Sequence, residues 1–159
     1  MNAIDLTKTL ADILLSRNWT LSLAESCTGG LVCATLTELA GSSEWFERGY
    51  ITYSNDAKTE CLGVSAQLIE SHGAVSEQTA KAMAEGARIN SGSDVAISIT
   101  GIAGPSGGSA DKPVGTVCFG WATENQSLTR IMRFDGDRQA VRQQATEFAL
   151  IELIALLRS

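Results

Sequence analysis

Histidine is almost missing from this sequence: among 159 residues there is one, His72. Four cysteines are present (Cys27, Cys33, Cys61 and Cys118), but no two stand at CxxC spacing. The usual ligand sets for zinc are therefore not assembled, and no metal is expected. Long apolar runs are missing as well. The stretch Met1 to Arg17 carries Asp5, Lys8, Asp12 and Arg17 among its apolar residues, so it reads neither as a secretory segment nor as a membrane span. The expectation is a cytoplasmic protein with reduced thiols and no membrane partner. There is no run of Lys and Arg, and 12 basic against 18 acidic residues leave a formal net charge of −6. Such a surface repels a polyphosphate backbone, so no nucleic-acid partner is expected. A small anionic substrate stays open, because it needs only one or two local cations. No P-loop, dinucleotide fingerprint or GxSxG elbow is written in the chain.

What is present fits a single domain over residues 1–159, with 44% hydrophobic and 19% charged residues. Leu6, Leu10, Ile13 and Leu14 fall at helical spacing and predict a helix from Ala3 to Ser16. Thr20 to Ala24 reads as a short buried strand, followed by a helix opened by Gly29-Gly30 and closed near Gly41. Gly49 to Tyr53 is rich in strand formers, and Ser54 or Asn55 can cap a short helix carrying Lys58. A second short helix spans Ser65 to Ser71. Ser76 caps a longer one through Asn90, with Ala80, Met83, Ala84 and Ala87 on its inner face. Asp94 to Thr100 reads as a strand, and Gly101 to Pro113 as a Gly-rich loop. Val114 to Ala122 and Ser127 to Phe134 form a hairpin, and Asp137 to Leu157 a last helix. Strands that alternate with helices until a hairpin intervenes predict an α/β class: a three-layer α/β/α sandwich with a mixed β-sheet.

Three places can hold chemistry. Ser26 stands at a strand-to-helix turn, Ala24-Glu25-Ser26-Cys27-Thr28-Gly29-Gly30. There the N–H groups of a helix start can hold an anion or a developing oxyanion. The competing reading is that Ser26 or Thr28 is only a helix cap. A serine needs a base. His72, in Glu70-Ser71-His72-Gly73, reads as the last residue of a helix before a glycine cap. Lys58, just past a strand, can serve if burial lowers its pKa, or it can be a solvated helix residue. The loop from Gly101 to Pro113, at a strand exit, either approaches a ligand or merely connects strands. Arg138 and Arg142, one turn apart, can pair a phosphate or make surface ion pairs. Cys27 reads as packing, and Trp45 and Phe46 as loop or subunit contacts.

Six stretches, in order along nearly the whole chain, resemble the CinA C-terminal domain family, which includes stand-alone nicotinamide mononucleotide amidohydrolases. They are Leu23-Ala-Glu-Ser-Cys-Thr-Gly-Gly30, Gly49-Tyr-Ile-Thr-Tyr-Ser-Asn-Asp-Ala-Lys58, Gly73-Ala-Val-Ser76, Thr100-Gly-Ile-Ala-Gly-Pro105, Lys112-Pro-Val-Gly-Thr-Val117, and Gly136-Asp-Arg138 with Arg142. No counterpart of the amino-terminal domain of full-length CinA proteins is seen, which matches the stand-alone form. The resemblance implies a homodimer or higher homo-oligomer and hydrolysis of nicotinamide mononucleotide (NMN) to nicotinate mononucleotide and ammonia, without metal or cofactor. It places the family's serine nucleophile on Ser26, its lysine on Lys58 and its tyrosine on Tyr53. In this reading Lys58 takes the serine proton, Tyr53 places or relays it, and N–H groups near Thr28, Gly29 and Gly30 hold the oxyanion. Glu25, Thr100, Gly101, Ala103, Gly104 and Pro105 shape the substrate pocket. Arg138 or Arg142, with Arg142 preferred, meets the phosphate. The alternative is a non-catalytic pyridine-nucleotide-binding or regulatory protein on the same scaffold.

Overall fold

Polar side chains punctuate the chain. The computed structural model describes residues 1–159. Helix α1 (Ala3–Arg17) begins where Asn2 accepts a side-chain hydrogen bond from the Asp5 N–H, and it stops where Asn18 turns left-handed at φ 56°. Its Leu6, Leu10, Ala11 and Leu14 are buried. Strand β1 (Leu21–Glu25) is buried at every residue, as befits a parallel strand covered on both faces. Helix α2 (Leu31–Thr37) and strand β2 (Phe46–Ile51) follow. Then come three helices, α3 (Asn55–Leu62), α4 (Ala66–His72) and α5 (Glu77–Ser91). Ser54, Ser65 and Ser76 cap them by accepting from the N–H of Ala57, Leu68 and Thr79, each cap being worth about 1 kcal/mol. Strands β3 (Val95–Gly101), β4 (Thr116–Thr123) and β5 (Ser127–Arg133) complete the sheet. Asp137 caps the closing helix α6 (Arg138–Arg158).

The sheet order is β2-β1-β3-β4-β5. β2, β1 and β3 are parallel, and β4 and β5 run antiparallel. Helices α1, α2 and α6 cover one face around Leu10, Leu14, Leu36 and Leu150, while α3, α4 and α5 cover the other around Leu62, Ile69 and Met83. This is the expected three-layer sandwich with a mixed sheet. From β1 the chain crosses to β2 on one side and later returns to β3 on the other. The carboxyl ends of β1 and β3 thus flank a topological switch point, where open α/β sheets form their crevices.

Several boundaries differ from expectation; strand β4, for example, starts at Thr116 rather than Val114. Helix α2 ends at Thr37 rather than Leu39, and the hydroxyls of Thr35 and Thr37 bond back to Leu31 O and Cys33 O, a competition that weakens helices. A 3₁₀ turn at Ser42–Glu44 follows. Trp45 is 1% exposed and belongs to the core, because its carbonyl accepts from the Leu21 N–H and draws the chain onto β1. Strand β2 consequently starts at Phe46, three residues earlier than expected, and ends at Ile51, which leaves Tyr53 beyond it.

Candidate active site

The turn after β1 is built by hydrogen bonds that can be counted. Glu25 is fully buried. Its carboxylate accepts from the N–H groups of Gly30 and Val32, both at 3.1 Å, and of Cys33 at 2.9 Å. It therefore caps α2 from below and takes no part in lining the pocket, where the sequence reading had grouped it. Ser26 N–H donates to Ile99 O at 2.9 Å, tying the turn to β3, and Ser26 O accepts from Gly29 N–H at 3.0 Å. Gly29 and Gly30 sit at φ 56° and 103°, where a side chain would be strained. From α6, Arg142 donates to Cys27 O at 3.1 Å and Thr28 O at 2.9 Å. Gly29 and Gly30 N–H are thus engaged, whereas Cys27 and Thr28 N–H have no protein acceptor.

Lys58 approaches from α3, on the opposite side of the turn. Its Nζ lies 3.0 Å from Ser26 Oγ and donates to Thr52 O at 2.9 Å, with Tyr53 O at 3.4 Å and Ser54 O at 3.5 Å. The side chain is 1% exposed. The one ion pair of the chain joins Glu47 and Arg48 at the surface, so no carboxylate lies within 4.0 Å of Lys58. Burial pushes the Lys58 ammonium below its usual range, because an isolated charge is poorly solvated there. The carbonyl dipoles pull the other way without supplying a full counter-charge. The neighbouring Cys27 thiol is pushed up to about 12 by burial; it is no thiolate near neutral pH. None of the four cysteines is disulfide-bonded.

Ser26 and Lys58 open onto a cavity of about 280 Å³ that Tyr53, Thr100, Gly101, Ala103, Gly104 and Arg138 also line. Thr100 is fixed by its hydroxyl bond to Ala74 O. Arg138 spans the mouth, donating to Gly104 O at 2.8 Å and to the Tyr53 hydroxyl at 3.2 Å. The Tyr53 ring is largely exposed, and its hydroxyl bonds to Arg138 rather than to Ser26 or Lys58. Thr28, Gly29, Gly30, Pro105 and Arg142 lie outside the lining. Asn55, Val75, Ser106 and Gly107 belong to it, although the sequence reading did not count them as site residues. Val75 stands in the segment Gly73-Ala-Val-Ser76, but nothing in its chemistry marks it. Two buried hydroxyls, Thr28 Oγ1 and Thr52 Oγ1, have no partner, an uncommon condition. Both belong to the backbone segments that hold Ser26 and Lys58. His72 ends α4 before Gly73, as expected, and is outside the cavity. A larger, open hollow of about 490 Å³ lies at the far end of the sheet between α5 and the β4–β5 turn. It is almost entirely polar and joins no serine to a buried base, so the chemistry favours the smaller cavity. No helix is long and apolar enough to cross a membrane.

The family model for the CinA C-terminal domain matches residues 3–157. The nicotinamide-nucleotide amidohydrolase PncC of Enterobacter agglomerans is 52% identical over 147 residues, covering 92% of this chain and 90% of its own. Its Escherichia coli K12 counterpart is 51% identical over 148 residues, with the same shares. A CinA-like protein of Syntrophobacter fumaroxidans is 51% identical over 96% of this chain but only 36% of its own length. The crystal structure of a competence/damage-inducible protein from Agrobacterium tumefaciens superimposes with a TM-score of 0.95 at 43% identity, covering 99% of this chain and 96% of that one.

Proposed function

Because this chain belongs to the CinA C-terminal domain family, we propose that it is an amide hydrolase that converts NMN to nicotinate mononucleotide and ammonia with Ser26 as nucleophile and Lys58 as base, on one domain spanning residues 1–159. Relatives about half identical over most of both chains carry the name nicotinamide-nucleotide amidohydrolase, and that supports the substrate. The observation that carries the chemistry is Lys58 Nζ, buried, without a carboxylate, 3.0 Å from Ser26 Oγ. Burial lowers the Lys58 pKa, the direction that makes an amine a more available base.

The steps follow from that contact. Neutral Lys58 takes the proton of Ser26 Oγ as the oxygen attacks the carboxamide carbon. The tetrahedral oxyanion is held by N–H groups of the turn. The C–N bond breaks, the nitrogen takes a proton from Lys58, and ammonia leaves. Water then attacks the nicotinoyl ester, giving a proton to Lys58, and Ser26 Oγ recovers it as nicotinate mononucleotide departs. Tyr53 acts through the wall it forms with Arg138, and Thr52 to Ser54 hold Nζ through their carbonyls. Arg138, at the cavity mouth, meets the 5′-phosphate. The guanidinium of Arg142 is committed to Cys27 O and Thr28 O, and the phosphate role passes to Arg138.

The test is release of ammonia and nicotinate mononucleotide from NMN in EDTA, comparing wild type with Ser26→Ala. Turnover by wild type and none above background by Ser26→Ala is the expected result; loss of a nucleophile typically costs several orders of magnitude in kcat. Binding of NMN without turnover by either protein would replace this reading with a pyridine-nucleotide-binding protein. Equal turnover by both would remove Ser26 from the mechanism.

A further inference from the structure

We infer that Arg142 is a positioning residue for this reaction: it holds the turn after Ser26 so that the N–H of Cys27, which lines the cavity beside Ser26, serves as the oxyanion donor. The inference rests on the amidase reading. Its starting point is the accounting of the five N–H groups from Ser26 to Gly30. Ser26 donates to Ile99 O, Gly29 to Ser26 O, and Gly30 to the Glu25 carboxylate. Cys27 and Thr28 alone keep free donors; Cys27 adjoins Ser26 and lines the cavity, whereas Thr28 is fully buried outside it. The paired glycines, which look like the natural anion holders, are already spent.

The direction of the free donors follows from peptide geometry. In a trans peptide unit the C=O and N–H point opposite ways. Arg142 Nε holds Cys27 O at 3.1 Å, so the Thr28 N–H of that same unit is turned away from α6. Arg142 Nη2 holds Thr28 O at 2.9 Å, which fixes the next unit and with it the Gly29 N–H that closes onto Ser26 O. That closure in turn sets the unit containing Ser26 O and Cys27 N–H. One guanidinium therefore fixes a chain of three peptide planes. A lysine has a point-like ammonium and cannot reproduce two bonds in a fixed fork. Arg142 is outside the cavity lining, whereas Arg138 is in it, so the two arginines separate by function. Arg138 acts on substrate affinity and Arg142 on the chemical step.

Steady-state kinetics on NMN with wild type, Arg142→Lys and Arg142→Ala test this, alongside thermal unfolding of each. The expected result is a kcat about 10²-fold lower in Arg142→Ala, the usual scale for a donor misplaced by about 1 Å. KM should stay within about twofold, since ground-state contacts are untouched. Arg142→Lys should fold like wild type and still have a clearly reduced kcat. Added methylguanidinium should restore part of the activity of Arg142→Ala and none of that of Arg142→Lys. A raised KM at wild-type kcat would overturn the inference and return Arg142 to substrate binding. Wild-type kcat in Arg142→Lys would overturn it too, as would a loss of kcat in Arg142→Ala that only tracks a lowered unfolding temperature with no rescue. If Arg142→Ala does not fold, Arg142→Lys decides alone. A wild type inert towards NMN would sink the amidase reading itself, and is told apart from these outcomes because the variants are then never limiting.

Discussion

Replacing Lys58 with Met keeps an unbranched side chain as far as Cε and removes the charged Nζ, and it should separate stability from activity. Burial holds the Lys58 ammonium below the usual lysine range, which lies near about 10.4. Between the native pKa and that value, the unfolded chain binds a proton that the native chain has given up. Wild-type stability therefore rises with pH across this window, and below it the native protein carries a buried charge with no carboxylate within 4.0 Å. Lys58→Met lacks that slope. Its stability relative to wild type should be highest near neutrality and decline as pH rises towards the ordinary lysine range. Each unit of depression contributes about 1.4 kcal/mol to that change. Deleting Nζ also strips Thr52 O of its donor, a loss of about 0.5–1.5 kcal/mol, but this part does not vary with pH. The difference between two pH values is therefore diagnostic where the value at one pH is not. Urea unfolding followed by the emission of Trp45 and Trp121, which are 1% and 0% exposed, measures it. Parallel stability curves for wild type and variant from about pH 7 to about pH 10 would refute the reasoning and make Lys58 an ordinary structural ammonium. In the same samples, kcat/KM of wild type should climb with pH and level off below the usual lysine range. Lys58→Met should lose about 10²- to 10⁴-fold, the range of a general base.

Arg138→Ala should raise KM for NMN about ten- to a hundredfold, the worth of one charge-assisted contact, and leave kcat nearly unchanged; an equal effect on nicotinamide riboside, which has no phosphate, would exclude the phosphate as its target. Cys27→Ala should retain activity, and iodoacetamide near neutral pH should not inactivate wild type, because the Cys27 thiol is held at about 12; inactivation with labelling of Cys27 would contradict that. Gly49→Ala puts a Cβ 2.3 Å from Cys33 Sγ, and such overpacking typically costs about 1–3 kcal/mol. Adding Cys33→Ala should recover part of it, and a double-mutant cycle by urea unfolding that shows simple additivity would rule out this clash.

Local signals carried much of the fold. The serine caps at 54, 65 and 76 accept from an N–H three residues on, and Ala80, Met83, Ala84 and Ala87 all face inward on α5. Both features depend on short-range chemistry and a 3.6-residue period, which the order of residues states directly. Strand β2 was less legible because Glu47-Arg48-Gly49 has no strand signature; its pairing with β1 makes it a strand, and such pairing is a tertiary fact. The same holds at the site. Ser26 and Lys58 stand 32 residues apart and meet only because β1 and β2 are neighbours with α3 packed above them. Arg138 and Arg142 share a helix face, and one turn of about 5.4 Å is enough to send the first across the cavity mouth and the second under the serine turn. Spacing alone could not assign them. Nor could it foresee that a buried carboxylate would occupy the Gly30 N–H.

That carboxylate also bears on why the lysine stays unpaired. Glu25 and Ser26 are consecutive on an extended chain, and such neighbours project to opposite faces. Glu25 enters the layer of α2, where three N–H groups take up its carboxylate, and Ser26 faces α3 and Lys58. If the two residues exchanged faces, a carboxylate would stand beside the ammonium, and an opposite charge at that distance raises a lysine pKa. The proton would then be held too firmly for Lys58 to act as base near neutrality. Neutral carbonyls do the holding instead. Those of Thr52, Tyr53 and Ser54 fix Nζ in place, yet offer only dipoles against the desolvation that drives the proton off. The pleat of one strand thus keeps an acid and a base, adjacent at the same sheet edge, from neutralising each other. Each is left to its own task, the acid at the helix start and the base at the serine.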